Sequence, residues 1–148
     1  MIPENKLIYG ELSYQIVGIL FEVYNDLGFG YKEVTFEKAI AKQLTKRGLK
    51  FQRQIPFQVN YLGDKLTKIY LDFLIEDKII LEIKRGDYFD RRNIKQVNEY
   101  LKITNKKLAI LANFTPKGVK FLRIVNLKGA DKPEVYQFEI SLLKKKLL

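Results

Sequence analysis

Two short apolar segments, residues 69–75 and 79–84, constrain the fold of this chain more than any other feature of its sequence. Each is a run of aliphatic and aromatic side chains interrupted by a carboxylate, Asp72 in the first segment and Glu82 in the second. A lone carboxylate in such a run is costly unless it is paired or bound to a metal. The three residues between the segments are a typical hairpin loop, so the sequence predicts two buried strands that pair with each other.

The length of the hairpin loop decides whether the two carboxylates meet. An odd loop, such as residues 76–78, places Asp72 opposite Glu82 on one face of the sheet, whereas a two-residue turn would separate them. Strand alternation also places Lys84 on the same face as Glu82. Neighbouring carboxylates repel unless a cation lies between them, and Mg²⁺ or Mn²⁺ suits carboxylate and carbonyl oxygens. A cross-strand ion pair is the alternative interpretation of these three residues.

The remaining sequence alternates between helical and strand-like patterns. Helical spacing of apolar residues covers residues 12–27, 32–47 and 91–104, and β-branched or aromatic runs cover residues 51–61, 66–75, 79–84, 108–114, 120–125 and 135–140. The order α-α-β-β-β-α-β-β, followed by a tail, predicts an α/β fold with one mixed sheet flanked by helices. We expect residues 1–148 to form a single domain.

The absence of histidine, cysteine and tryptophan excludes several kinds of chemistry. Without histidine or cysteine the chain cannot form a usual zinc site, an iron–sulfur cluster, a thiol nucleophile or a Ser-His-Asp relay. An enzyme built from this chain must therefore use carboxylates, lysines, tyrosines and hard metal ions. The missing cysteines, the lack of a signal peptide and the absence of a membrane-length apolar run predict a cytoplasmic protein without a membrane partner.

The charge of the chain indicates a polyanionic partner. Its 27 basic and 17 acidic residues give a net charge of +10, and the excess lies entirely beyond residue 49. A surplus of this size favours nucleic acid as the partner. The alternative is an otherwise unremarkable basic protein from a low-GC or thermophilic proteome.

Glu33 is a third carboxylate in an unexpected position. Along the second predicted helix it shares the apolar stripe of Phe36, Ile40 and Leu44, so it is predicted to point inward. A glutamate in the first turn of a helix also interacts favourably with the helix dipole, which is the alternative explanation.

These residues together form a recognisable set of motifs. The segments are residues 30–36 (GYKEVTF), Asp72, residues 82–84 (EIK) and residues 96–100 (QVNEY). The chain resembles the PD-(D/E)xK nuclease superfamily and, within it, the proteins named for a GxxExxY motif, with Phe36 in place of the motif's tyrosine. Residues 96–100 are similar to the QxxxY motif of RecB-type nucleases. The resemblance covers about residues 11–126 and leaves residues 127–148 as a basic C-terminal extension.

The resemblance implies a restriction-endonuclease-like αβββαβ core with an extra N-terminal helix and a C-terminal strand or tail. It also implies that Asp72, Glu82, the backbone carbonyl of Ile83 and Glu33 hold Mg²⁺ (or Mn²⁺), and that Lys84 orients the attacking water. Gln96 and Tyr100 would hydrogen-bond the nucleophile, Lys84 or a phosphate, although packing at the helix edge also explains Tyr100. The basic residues expected to contact nucleic acid are Arg85, Arg91, Arg92 and Lys95.

The predicted function is therefore a Mg²⁺-dependent nuclease that hydrolyses phosphodiester bonds in nucleic acid, with DNA as the expected substrate. Two alternatives stay open. One is a Holliday-junction-resolvase-like endonuclease, which would act as a homodimer to cut two strands. The other is a non-catalytic nucleic-acid-binding module on a nuclease fold.

Overall fold

A computed structural model describes residues 8–126 and the backbone of residues 134–139. Each helix and strand agrees with its predicted bounds to within two residues. Ile140 and the tail lysines of the predicted extension lie outside the described residues. The elements are α1 (Gly10–Leu27), α2 (Glu33–Lys46), β1 (Phe51–Tyr61), β2 (Asp64–Ile75), β3 (Ile79–Arg85), α3 (Arg91–Thr104), β4 (Leu108–Thr115), β5 (Gly118–Val125) and β6 (Glu134–Glu139).

The strands form one six-stranded sheet in the order β1-β2-β3-β4-β5-β6. β3 and β4 pair in parallel, and every other neighbouring pair is antiparallel. The parallel pair requires a crossover connection, and α3 supplies it. This arrangement confirms the predicted mixed sheet flanked by helices and the restriction-endonuclease-like fold.

The helices cover the two faces of the sheet and create two apolar cores. On one face α1 and α2 pack against side chains such as Phe73, Leu81 and Ile83. On the other face α3 packs against Leu74 and Ile80. All side chains of β4 are buried because this strand is covered on both faces.

Local sequence signals explain where the helices begin and end. Asp90 is the N-cap of α3, and its carboxylate accepts a hydrogen bond of 2.8 Å from the Arg92 amide. Gly48 follows α2 with a φ of 72°, and the next amide, that of Leu49, donates to the carbonyl of Leu44. That left-handed glycine and six-to-one hydrogen bond are the usual helix-ending motif, as the sequence predicted.

None of the helices in the described part of the chain is long and apolar enough to cross a membrane.

Candidate active site

The backbone pairing of β2 with β3 ends where the two strands carry Asp72 and Glu82. Of the two loop lengths that the sequence left open, the odd one is present as residues 76–78, and the ladder runs from Ile75↔Ile79 to Phe73↔Leu81. At the next position, Asp72 and Glu82, hydrogen bonds to side chains take the place of backbone hydrogen bonds between the strands. The Asp72 amide donates to Glu82 Oε1 at 2.8 Å, and the Ile83 amide donates to Asp72 Oδ2 at 2.9 Å. The two carboxylates are therefore brought together in a gap between strands, as the loop length predicted.

The environment of Glu82 favours the uncharged form of its carboxyl group. The side chain is 2 % exposed, and its pKa is raised from 4.5 to about 9. Burial is the largest cause, followed by the negative charge of Asp72, while the positive charge of Lys84 opposes both. In the absence of a cation, burial and the neighbouring carboxylate therefore favour the protonated form of Glu82.

Lys84 lies on the same face of β3 as Glu82 and is partly buried. Among the ion pairs of the described residues, none involves Lys84, Asp72 or Glu82. The alternative interpretation of these residues as a cross-strand ion pair therefore lacks support. The positive charge of Lys84 lowers the pKa of Glu82, but by less than burial and the charge of Asp72 raise it.

Glu33 lies in the first turn of α2 and is partly buried. Its charge contributes to the raised pKa of Glu37, one turn further along the same helix. Within residues 8–126, however, no three acidic side chains lie close enough together to share a metal ion. The structure therefore does not bring Glu33 together with Asp72 and Glu82 in one cluster of metal-binding side chains.

Glu37 is a buried carboxylate beside the site that the sequence did not single out. It is 7 % exposed, accepts a hydrogen bond of 2.9 Å from Gln54 Nε2 and lies 3.9 Å from Arg53 Nη2. Its pKa is raised by burial and, next in size, by the charge of Asp72, which shows that the two carboxylates are electrostatic neighbours. In the sequence, only its position beside the apolar residues Phe36 and Ile40 could have indicated that Glu37 is buried.

The two α3 residues predicted for the site have different surroundings. Tyr100 is buried, and its pKa is raised to about 12, first by burial and then by the charges of Glu82 and Asp72. Gln96 lies one turn earlier and is exposed. The fold therefore buries Tyr100 where the charges of the two carboxyl groups act on it, and it leaves Gln96 at the surface.

The sequence of the chain matches a protein family whose members share this fold. The model of the PD-(D/E)XK nuclease superfamily matches residues 10–124. The chain belongs to the PD-(D/E)XK nuclease superfamily. The curated proteins contain no match to it. Among solved structures, that of SSO0001 is 14% identical with a TM-score of 0.40, covering 90% of this chain and 81% of that one; a similarity at this level carries no argument about function.

PD-(D/E)XK nucleases typically use a divalent metal ion, so the oxygen atoms at this site should be suitable ligands for one. The carboxyl groups of Asp72 and Glu82 lie in a gap between two strands where burial and the charge of Asp72 raise the pKa of Glu82, and a divalent cation would relieve this electrostatic cost. Mg²⁺ usually keeps several waters and takes only one or two protein carboxylates, so two carboxylates and a backbone carbonyl are sufficient. The residues present therefore fit the ion that the superfamily typically uses.

The four basic residues predicted to contact phosphate are exposed on the surface of the protein. Arg85 follows Lys84 on β3, and its guanidinium carbon lies 5.0 Å from the centre of the Phe29 ring. Arg92 pairs with its own helix cap, Asp90, at 2.9 Å. Arg91 and Lys95 are exposed on the first two turns of α3. All four are accessible to a polyanion.

Proposed function

We propose that this PD-(D/E)XK protein is a Mg²⁺-dependent nuclease that hydrolyses phosphodiester bonds in DNA. The observation that carries the proposal is the pair of the buried Glu82 and the partly buried Asp72, placed in a gap between β2 and β3 with Lys84 on the same face. Burying a carboxyl group beside a second carboxylate is costly without a cation, and the two residues resemble the acidic pair of the motif that gives the superfamily its name.

The roles of the residues follow from their positions. Asp72, Glu82 and the carbonyl of Ile83 would hold the ion, with Glu33 as a further contributor through water. When bound, Mg²⁺ supplies Lewis-acid polarisation of the phosphate and makes an attacking water more acidic. Lys84 carries its positive charge on the same face, where it orients the water and stabilises charge that develops on the phosphate oxygens. Tyr100 and Gln96 would hydrogen-bond the attacking water, Lys84 or a substrate phosphate, Tyr100 from a buried position and Gln96 from the surface.

The proposal is tested by incubating the purified chain with linear, nicked and four-way DNA and with RNA, in Mg²⁺, Mn²⁺ or EDTA. We expect cleavage of DNA that needs the divalent ion. Preferential, paired cutting of four-way DNA by a dimer would indicate a junction resolvase instead. DNA binding without cleavage under every condition would indicate a non-catalytic binding module and would refute the nuclease proposal.

The basic residues of α3 give a separate prediction about affinity. Arg91→Ala and Lys95→Ala should each weaken binding of DNA of any sequence, because contacts to phosphate carry no sequence information. Each should also reduce the slope of log K against log salt by about 0.9, since one fewer counterion is released on binding. Fluorescence anisotropy at several salt concentrations measures both effects. Lys42→Ala, an exposed lysine on α2, is the control and should leave the slope unchanged.

A further inference from the structure

The β1–β2 hairpin has an irregularity directly opposite Asp72. Arg53 pairs with Phe73 and Ile55 pairs with Leu71, but Gln54, which lies across from Asp72, has no partner in the ladder. Gln54 has a φ of 48°, a left-handed conformation that is unfavourable for a residue with a side chain. The register is the same on both sides of Gln54, so no residue has been inserted there, and the hairpin's one shift in register lies further along, between Val59 and Asn60.

In both strands the side chains exchange the two faces of the sheet at this position. Phe51 and Phe73 pack in the core beneath α1 and α2, whereas Ile55 and Leu71 pack in the core beneath α3. All four have odd numbers, and regular alternation would place the odd residues of one strand on a single face. The side chains therefore change faces between residues 53 and 55 on β1 and between residues 71 and 73 on β2.

Glu37 of α2 contacts the hairpin at this irregularity. Gln54 Nε2 donates to Glu37 Oε1 at 2.9 Å, and Arg53 Nη2 lies 3.9 Å from the same oxygen. Two consecutive side chains of a regular strand point to opposite faces and could not reach one acceptor. The buried Glu37 carboxylate therefore contacts the β1 side of the distortion, and Asp72 occupies the β2 side.

We propose that Glu37 and Gln54 are positioning residues for Asp72. The hydrogen bond from Gln54 to Glu37 holds Gln54 in its left-handed conformation, and this conformation fixes the exchange of faces that directs the Asp72 carboxylate to the Ile83 amide and to Glu82. The proposal rests on the proposed nuclease function, in which Asp72 holds the metal ion. A non-glycine residue in such a conformation costs on the order of 1 kcal/mol or more, so it persists only where its surroundings enforce it.

Two substitutions at Gln54 separate positioning from simple loss of a contact. Gln54→Ala removes the hydrogen bond and leaves a residue that disfavours positive φ, whereas Gln54→Gly removes the same bond but adopts positive φ without strain. We expect Gln54→Ala to raise the Mg²⁺ concentration for half-maximal cleavage by about 10- to 100-fold, the usual effect of losing a partner that orients a metal ligand. Gln54→Gly should recover most of this loss.

Substitutions at Glu37 test the other half of the pair. Glu37→Gln keeps an acceptor for Gln54 and should stay within a few-fold of wild type, whereas Glu37→Ala should resemble Gln54→Ala. The double variant Glu37→Ala with Gln54→Gly should cleave better than Glu37→Ala alone. Glu22→Ala is the matched control, because it removes a different glutamate–arginine ion pair, that of Glu22 with Arg47, in which the carboxylate lies on α1.

A measurement without cleavage keeps this inference distinguishable from the nuclease proposal. In ¹⁵N–¹H spectra of the metal-free protein, Glu37→Ala and Gln54→Ala should shift the amides of Asp72 and Ile83, which hydrogen-bond to the carboxylates. Gln54→Gly and Glu22→Ala should leave these amides near their wild-type positions. If Gln54→Ala and Gln54→Gly have equal effects, or if the two amides do not move, the positioning role is refuted. An inactive wild-type protein that still shows the shifts refutes only the nuclease function.

Discussion

Asp72→Asn is expected to reduce metal-dependent DNA cleavage by on the order of 10³-fold or more, because several kcal/mol of transition-state stabilisation depend on the ion that Asp72 holds. The asparagine oxygen can still accept the hydrogen bond from the Ile83 amide, so the strand geometry is preserved. What is lost is the negative charge, on which binding of Mg²⁺ depends. Single-turnover cleavage at saturating DNA, over a range of Mg²⁺ concentrations, measures the effect.

Two further variants define what this result means. Asp64→Asn changes an exposed aspartate at the start of the same strand and should leave the rate unchanged. Lys84→Ala should lower the rate at saturating Mg²⁺ by about 10²- to 10³-fold, since it removes charge stabilisation rather than a metal ligand. If Asp72→Asn retained wild-type cleavage, Asp72 would not hold the ion, and the proposed site would be wrong.

Glu82→Gln is expected to make the stability of the metal-free protein less dependent on pH. Because the pKa of Glu82 is raised from 4.5 to about 9 on folding, the folded state binds one proton that the unfolded state releases between these values. The free energy of unfolding of the wild type therefore falls as pH rises through this window, because the unfolded state releases the proton that the folded state retains. Glutamine is neutral at every pH and removes this contribution.

Urea denaturation in EDTA at pH 5, 6, 7 and 8 measures the difference. The free energy of unfolding of Glu82→Gln, relative to that of the wild type, should increase steadily as pH rises. Glu99→Gln, at an exposed position of α3, should follow the wild-type curve. Glu37 also has a raised pKa, but it is present in both proteins and cancels in the comparison. Adding Mg²⁺ should stabilise the wild type and not the variant. Parallel curves for wild type and Glu82→Gln would show that Glu82 is ionised in the folded protein.

The fold and the central pair were predictable because they depend on local patterns. The three-residue loop fixes the pairing of β2 with β3, and pairing alone brings Asp72 to Glu82. Strand alternation similarly placed Lys84 on the face of Glu82. These predictions need no knowledge of how the helices pack.

The remaining features depend on contacts between distant segments. Alternation would place Leu71 and Phe73 on one face, yet they lie in different cores because the side chains of β1 and β2 exchange faces beside Glu37. Helical spacing placed Gln96 and Tyr100 on one side of α3, but only the packing of α3 on the sheet decides that Tyr100 is buried and Gln96 exposed. The catalytic, metal-binding and phosphate-binding roles predicted for the site residues all stay predictions, those of Asp72, Glu82 and Lys84 included.

The position of the carboxyl pair in the chain has a consequence for folding. β2 and β3 are joined by three residues, so their pairing closes a short loop, which is the least costly contact to form. The parallel pairing of β3 with β4 must wait for α3 to cross over the sheet. We therefore expect Asp72 and Glu82 to meet while water still reaches both of them, and the proton to be taken up only in the last step, when β4 and α3 close over Glu82.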